Sequence, residues 1–331
     1  MLLDKVPFPA RQKGDIGLEI ECEGRNIIID PVKPCWIVHH DGSLRGQSAE
    51  YVFDKPQPYG KVEKAVRDLY NEFDNRNVEL NQSHRTSVHV HVNVQGMTWR
   101  QILNYIALYT IFEKPLLELC GEDRVGNLFC LPVYEAEGIN LALQEFVSVV
   151  NHNDVGAARV RDFFHDNLRY GAINLCAMFK FGSLEFRAMR GDASPDEIIR
   201  WVTLLYRMRE AAKEYESPVH IIQDFSALGP VECTRKTFGD TGLADGCDSF
   251  ERKTYEGVRV TQDWCFDCSW ERQAQPQEGM VIVDDHMDEE DDEEIRPAPL
   301  QVRARRYAMG AHGYNPRREY FRFVDQVDAD E

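Results

Sequence analysis

Three short stretches of this 331-residue chain place acids, imidazoles and a guanidinium at every second position. Residues 17–23 (GLEIECE) carry Glu19, Glu21 and Glu23; residues 87–94 (SVHVHVNV) carry His89 and His91; residues 183–190 (SLEFRAMR) carry Glu185 and Arg187. A spacing of two places such residues on one face of a β-strand. A sheet face turned to water normally shows a mixture of polar types, whereas these faces hold carboxylates, imidazoles and guanidinium. Crowded carboxylates repel unless cations neutralise them, so the pattern suggests bound divalent metal. Oxygen ligands with one or two imidazoles suit Mg²⁺ or Mn²⁺ better than a closed zinc site. An arginine beside them implies an anion, and metal-bound phosphate is the natural one. Taken singly, each stretch also has a plain reading: a solvated strand face, ordinary polar-face histidines, or a cross-strand salt bridge between Glu185 and Arg187.

The elements that position these residues follow from periodicity. In residues 15–23, Leu18, Ile20 and Cys22 point opposite to the glutamates, and four valines oppose Ser87, His89, His91 and Asn93. Residues 26–30 and 35–39 read as further strands around a turn at Asp30-Pro31; Asp41-Gly42 is a turn, followed by a short strand from Glu50 to Phe53. Residues 61–76 give a helix with Val62, Ala65, Val66, Leu69, Tyr70 and Phe73 on one side. A long helix from Thr98 is expected to kink near Pro115, and residues 139–165 are mostly helical. Residues 172–179 and 182–189 read as a strand pair joined near Phe181-Gly182. Ser194, Pro195 and Glu197 form a capping box that starts a helix reaching about residue 215.

Nine acidic residues lie between Asp284 and Glu294, and Asp325, Asp328, Asp330 and Glu331 close the chain. The formal net charge is -18; without those thirteen groups it is about -5, ordinary for a soluble body. No long basic stripe compensates it, so nucleic acid is not an expected partner. No apolar run of eighteen residues exists and the N-terminus lacks a secretory pattern. Cys22, Cys120 and Cys176 fall in apolar patterns, as reduced cysteines do. The expected location is the cytoplasm, with no membrane association.

In sequence order, GLEIEC, HHDGSLRGQSAEYVF, SVHVHVNV, EDRVGNLFC, RYGAINL and GSLEFRAMRG resemble the amidoligase branch of the glutamine synthetase-like carboxylate-amine ligases. The resemblance spans roughly residues 15–215. It implies an α+β fold: a curved antiparallel sheet with a polar concave active-site face and helices packed on the other side. It also implies an ATP-dependent ligase that phosphorylates a carboxylate and lets an amine displace phosphate, with a small molecule, peptide or protein side chain as substrates. Carried over by motif, Glu19, His89 and Glu185 would hold the Mg²⁺ that orients the ATP phosphates. Glu21 and Glu50 would hold a second ion, with Asp41 and His91 as further partners. Arg187, assisted by Arg190, would face the transferred phosphoryl group. Arg124, Asn127, Arg169 and Asn174 fall in motifs expected to touch nucleotide or substrate. The loops that choose the amine have no counterpart, so its identity does not carry over.

Two rival readings stand beside this one: a metal-dependent hydrolase using the same cluster to activate water, and a non-catalytic binding protein on a degenerate ligase fold. The expected organisation is a catalytic domain over 1–230, a Cys/Gly-rich extension over 231–283, an acidic linker over 284–300 and a basic-aromatic segment over 301–331. Cys233, Cys247, Cys265 and Cys268 could bind a structural zinc, although their first spacing is unusually long; free reduced thiols are the alternative.

Overall fold

A computed structural model describes residues 13–151, 170–245, 247 and 249–266. Arg169, Cys268, the end of the 139–165 stretch and the segments beyond 266 lie outside the described residues.

The fold is α+β, a curved open antiparallel sheet with helices against one face. Among the described residues it has seven strands, β1 (Ile16–Arg25), β2 (Trp36–His39), β3 (Gln47–Phe53), β4 (Glu79–Leu80), β5 (Ser87–Asn93), β6 (Ile173–Asn174) and β7 (Ser183–Arg190). Their order is β2-β3-β1-β5-β7-β6, with β4 added to β1. The helices are α1 (Tyr59–Asn75), α2 (Trp99–Cys120), α3 (Glu137–Asn151), α4 (Ala177–Phe181), α5 (Pro195–Glu214), α6 (Pro218–Phe238) and α7 (Phe250–Phe266).

Alternation decides which face is which. Leu18, Ile20 and Cys22 of β1, the valines of β5, and Leu184 and Phe186 of β7 are buried in the core. Helix α2 lies deepest, buried without a break from Ile102 to Glu113. Its Tyr105 and Tyr109 rings meet Phe186 at 5.4 and 5.0 Å, and the Tyr105 hydroxyl donates to the Leu205 carbonyl of α5 at 2.8 Å. The expected N-terminal signal of α5 holds. Ser194 and Glu197 form the capping box of α5, and Thr98 and Gln101 form another on α2.

Two local expectations are corrected. Residues 26–30 are a loop, because Ile28 gives both its backbone groups to the Tyr51 hydroxyl, at 3.1 and 3.0 Å, rather than to a strand. Residues 175–181 do not continue β6. The Asn174 side chain accepts the Cys176 N–H at 3.0 Å and turns the chain into α4, which ends at left-handed Gly182. Helix α2 runs through Pro115 as one helix. The Ile111 carbonyl, which proline leaves without its helical donor, packs against Gly257 of α7; a Cβ there would sit 2.3 Å from it.

The chain breaks its helical path at Gly229 (φ 78°), followed by Pro230, yet the helix resumes to Phe238. Cys233, Trp264 and Cys265 are buried beyond that point, and α7 packs on α2. The expected zinc ligands do not assemble: among the described residues, Cys233, Cys247 and Cys265 form no metal-type cluster. Cys247 instead donates to the Glu118 carboxylate at 3.0 Å.

Candidate active site

The strand register assembles the polar face. Glu19 lies directly opposite His89, Gly17 opposite His91, and Glu21 opposite Glu50. On the other side of β5, His91 lies opposite Glu185, which in turn lies opposite Asn174. A Cβ on Gly17 would approach the His91 Cβ to 3.2 Å. The glycine that opens the first motif therefore makes room for an imidazole.

Glu19 is shared by both histidines. Its Oε2 lies 3.2 Å from His89 Nδ1, and its Oε1 lies 3.3 Å from His91 Nε2. His89 Nδ1 is also 3.7 Å from Glu185 Oε1. Glu185 is fixed from two sides: Asn174 donates to its Oε2 at 2.6 Å and Arg187 pairs with its Oε1. One ligand atom each from Glu19, His91 and Glu185 can lie within 4.8 Å of the others. Sequence motifs favoured His89 in that role; the geometry brings both histidines to the carboxylates.

Electrostatics follow from these contacts. Burial works against the charged form of Glu19, but hydrogen bonds and charge from His89 and His91 hold it below the usual carboxylate range. Burial likewise opposes ionisation of Glu185, and His91, His89 and Arg187 outweigh it. For His91, burial disfavours the cation, while Glu19 and Glu185 raise its pKa overall. Glu50 behaves oppositely. Burial, then the charges of Glu19 and Glu21, push it up to about 7.

A divalent cation fits this donor set. The His91 Nε2 atom is buried without a well-aligned hydrogen-bond partner, and the surrounding donors are carboxylate oxygens and imidazole nitrogens. The Arg187 Nε is likewise buried and unpartnered, which leaves one face of the guanidinium for an anion.

Other residues singled out by sequence do scaffold work. Arg124 is fully buried. Its guanidinium donates to the carbonyls of Ala188 (2.9 Å), Arg187 (3.0 Å), Thr86 (3.2 Å) and His84 (3.4 Å). These carbonyls surround a β-bulge where the β5–β7 register shifts between Val88 and Val90. Asn127 donates to the His84 carbonyl at 2.9 Å. Neither side chain is directed at the Glu/His cluster. Arg190 pairs with Asp192 and Glu197, tying the end of β7 to the start of α5. Asp41 accepts the Ser43 N–H at 2.7 Å in its own turn and adds to the repulsion on Glu50. Glu23 accepts the Arg45 N–H at 2.7 Å and pins the loop before β3.

Residues 54–208 match the family described as putative amidoligase enzyme. That segment is similar to the amidoligase family and makes up just under half of the chain. The matched segment contains His89, His91, Glu185 and Arg187, whereas Glu19, Glu21 and Glu50 precede it and are joined to it through the β1–β5 and β1–β3 ladders. No curated protein matches the chain. Among the described residues, no helix is long and apolar enough to cross a membrane.

Two further residues complete the site, Ser87 and Ser183. Ser183 Oγ lies 3.1 Å from His91 Nδ1, and Ser87 Oγ lies 2.6 Å from His89 Nε2. Their signal was the same period of two that exposed the histidines; a hydroxyl there is easily passed over because serine is common on wet strand faces.

Proposed function

We propose that this protein is an ATP-dependent ligase that joins a carboxylate to an amine through an acyl phosphate. The observation that carries the reading is the convergence of Glu19, His91 and Glu185 beside Arg187, within a fold whose central segment is similar to the amidoligase family. Glu19, His89, His91 and Glu185 would hold one Mg²⁺ or Mn²⁺, and Glu21 with Glu50 a second. When bound, the cations neutralise phosphate charge and favour in-line transfer.

The chain's own groups do the rest. Arg187 offers a fixed guanidinium where negative charge gathers on the transferred phosphoryl group. Asn174 keeps Glu185 in place, so that site geometry is set before substrate arrives. A substrate carboxylate oxygen forms a bond to the γ-phosphorus as the bond to ADP breaks. The amine nitrogen then bonds to the acyl carbon, phosphate leaves, and the amine gives up a proton. Arg124 and Asn127 are removed from nucleotide contact in this scheme because the scaffold occupies their donors.

That occupation is also what favours the runner-up, a metal-dependent hydrolase that needs no nucleotide. Calorimetric titration of MgATP separates the two. Saturable binding lost in Glu185→Gln supports the ligase; activity on esters or amides with metal but without MgATP binding would replace it. The cytoplasm, where ATP and reduced thiols coexist, is the proposed location.

A further inference from the structure

The hydrogen bonds beneath the Glu/His cluster determine which nitrogen of His89 faces it. Ser87 has one hydroxyl proton and two close neighbours, Glu21 Oε2 at 2.7 Å and His89 Nε2 at 2.6 Å. Glu21 Oε2 already accepts the Ser87 backbone N–H at 3.0 Å. If the hydroxyl gave its proton to the imidazole, the serine and carboxylate oxygens would face each other at 2.7 Å with no proton between them. The hydroxyl therefore donates to Glu21, and its lone pair accepts from His89 Nε2–H. The other nitrogen, Nδ1, points at Glu19 Oε2 and Glu185 Oε1. Ser87 and His89 are both almost fully buried, so water does not compete for these bonds.

We propose that Ser87, held by Glu21, is a positioning residue that keeps the His89 proton on Nε2 and presents Nδ1 as the ligand atom for a divalent cation between Glu19 and Glu185. The inference rests on the metal-site part of the proposed function and not on the ligase reaction. It adds a link between the two halves of the site, because Glu21, assigned to the second ion, acts on a ligand of the first through one hydroxyl. Outer hydrogen-bond partners of this kind fix the tautomer and ring orientation of ligating histidines.

The test uses the full chain, Mn²⁺ calorimetry, and ¹⁵N spectra of histidine-labelled protein loaded with ¹¹³Cd²⁺. The expected results are cadmium coupling to His89 Nδ1 with the proton retained on Nε2, about 10–100-fold weaker Mn²⁺ binding in Ser87→Ala, and recovery to within about threefold in Ser87→Thr, which keeps the hydroxyl. Cadmium on Nε2, unchanged Mn²⁺ affinity in Ser87→Ala, or failure of both ions to bind the parent protein would each overturn it. So would a loss in Ser87→Ala that tracks a collapse of thermal stability and is not recovered by threonine. Metal binding through Nδ1 with no ADP release on any acid and amine would leave this inference standing and remove the ligase reading.

Discussion

Glu21 and Glu50 stand directly opposite one another on neighbouring antiparallel strands. Like charges in that position repel; burial first, then the charges of Glu19 and Glu21, push the Glu50 pKa up to about 7. A cation bound between them must displace the Glu50 proton. Mn²⁺ titrations at pH 6.5 should therefore show enthalpies that vary with the ionisation enthalpy of the buffer. At pH 8.5, where Glu50 is already ionised, that dependence should fall; in Glu50→Gln the dependence at pH 6.5 should be smaller than in the parent, leaving the proton that His91 gives up, with weaker binding of the second ion.

Glu185 receives Asn174, Arg187 and the nearby histidines at once. Glu185→Gln keeps the shape but removes a ligand charge. Calorimetry should show Mn²⁺ and MgATP affinity falling by at least about 10-fold, with the fold intact by circular dichroism. Asn174→Ala should cause a smaller loss in the same direction.

Glu113 lies in the helical core, where it accepts the Val133 N–H at 2.9 and 2.8 Å. Burial raises its pKa to about 8. The folded state thus binds a proton more tightly than the unfolded chain. This group adds no penalty below its unfolded pKa, and stability falls as pH rises from there through about 8. Glu113→Gln should be near neutral at pH 5 and more stable than the parent at pH 9, on the order of a few kcal/mol. Denaturant melts at the two pH values give the comparison; parallel pH dependences would refute the assignment.

Arg124 ties four carbonyls around the bulge that carries Arg187. Arg124→Met fills the volume but leaves those acceptors unpaired. The expected cost is on the order of 3–5 kcal/mol in chemical denaturation. Arg124→Lys should recover only part of it, because one ammonium has three donors and no fork.

Gly257 tests the sign of a glycine substitution. In a helix, Gly→Ala ordinarily stabilises by about 1 kcal/mol. At Gly257 the added Cβ meets the Ile111 backbone at 2.3 Å, and such overpacking costs about 1–3 kcal/mol. Gly257→Ala should lower the melting temperature, whereas Gly60→Ala in α1, with nothing within 4 Å, should leave it unchanged or raise it.

The strands that carry the chemistry were legible because their periods are unbroken: Glu19 to Glu23, Ser87 to Asn93 and Glu185 to Arg187 each alternate, and the structure pairs them side by side. What alternation cannot report is where a donor is used up. Arg124 and Asn127 look like ligand contacts in sequence, and only the fold shows the carbonyls that occupy them. Residues 177–181 (AMFKF) are too short and apolar to distinguish a buried strand from a helical turn; the Asn174 side chain, a tertiary detail, decides it. The motifs rank His89 above His91, yet both share one strand face, both reach Glu19, and they differ in which serine lies beside them.

The close approach of Gly257 to the Ile111 carbonyl reaches beyond local packing. Helix α7 follows the matched amidoligase segment in sequence, yet it seats against α2, the most enclosed helix of that segment. The carbonyl that Pro115 strips of its partner is shielded by a helix contributed some 140 positions later in the chain. The matched segment taken alone would leave the face of α2 that α7 covers without its partner. Loosening α7 would be felt at α2, the helix behind the sheet whose front carries Glu19, His89 and Glu185.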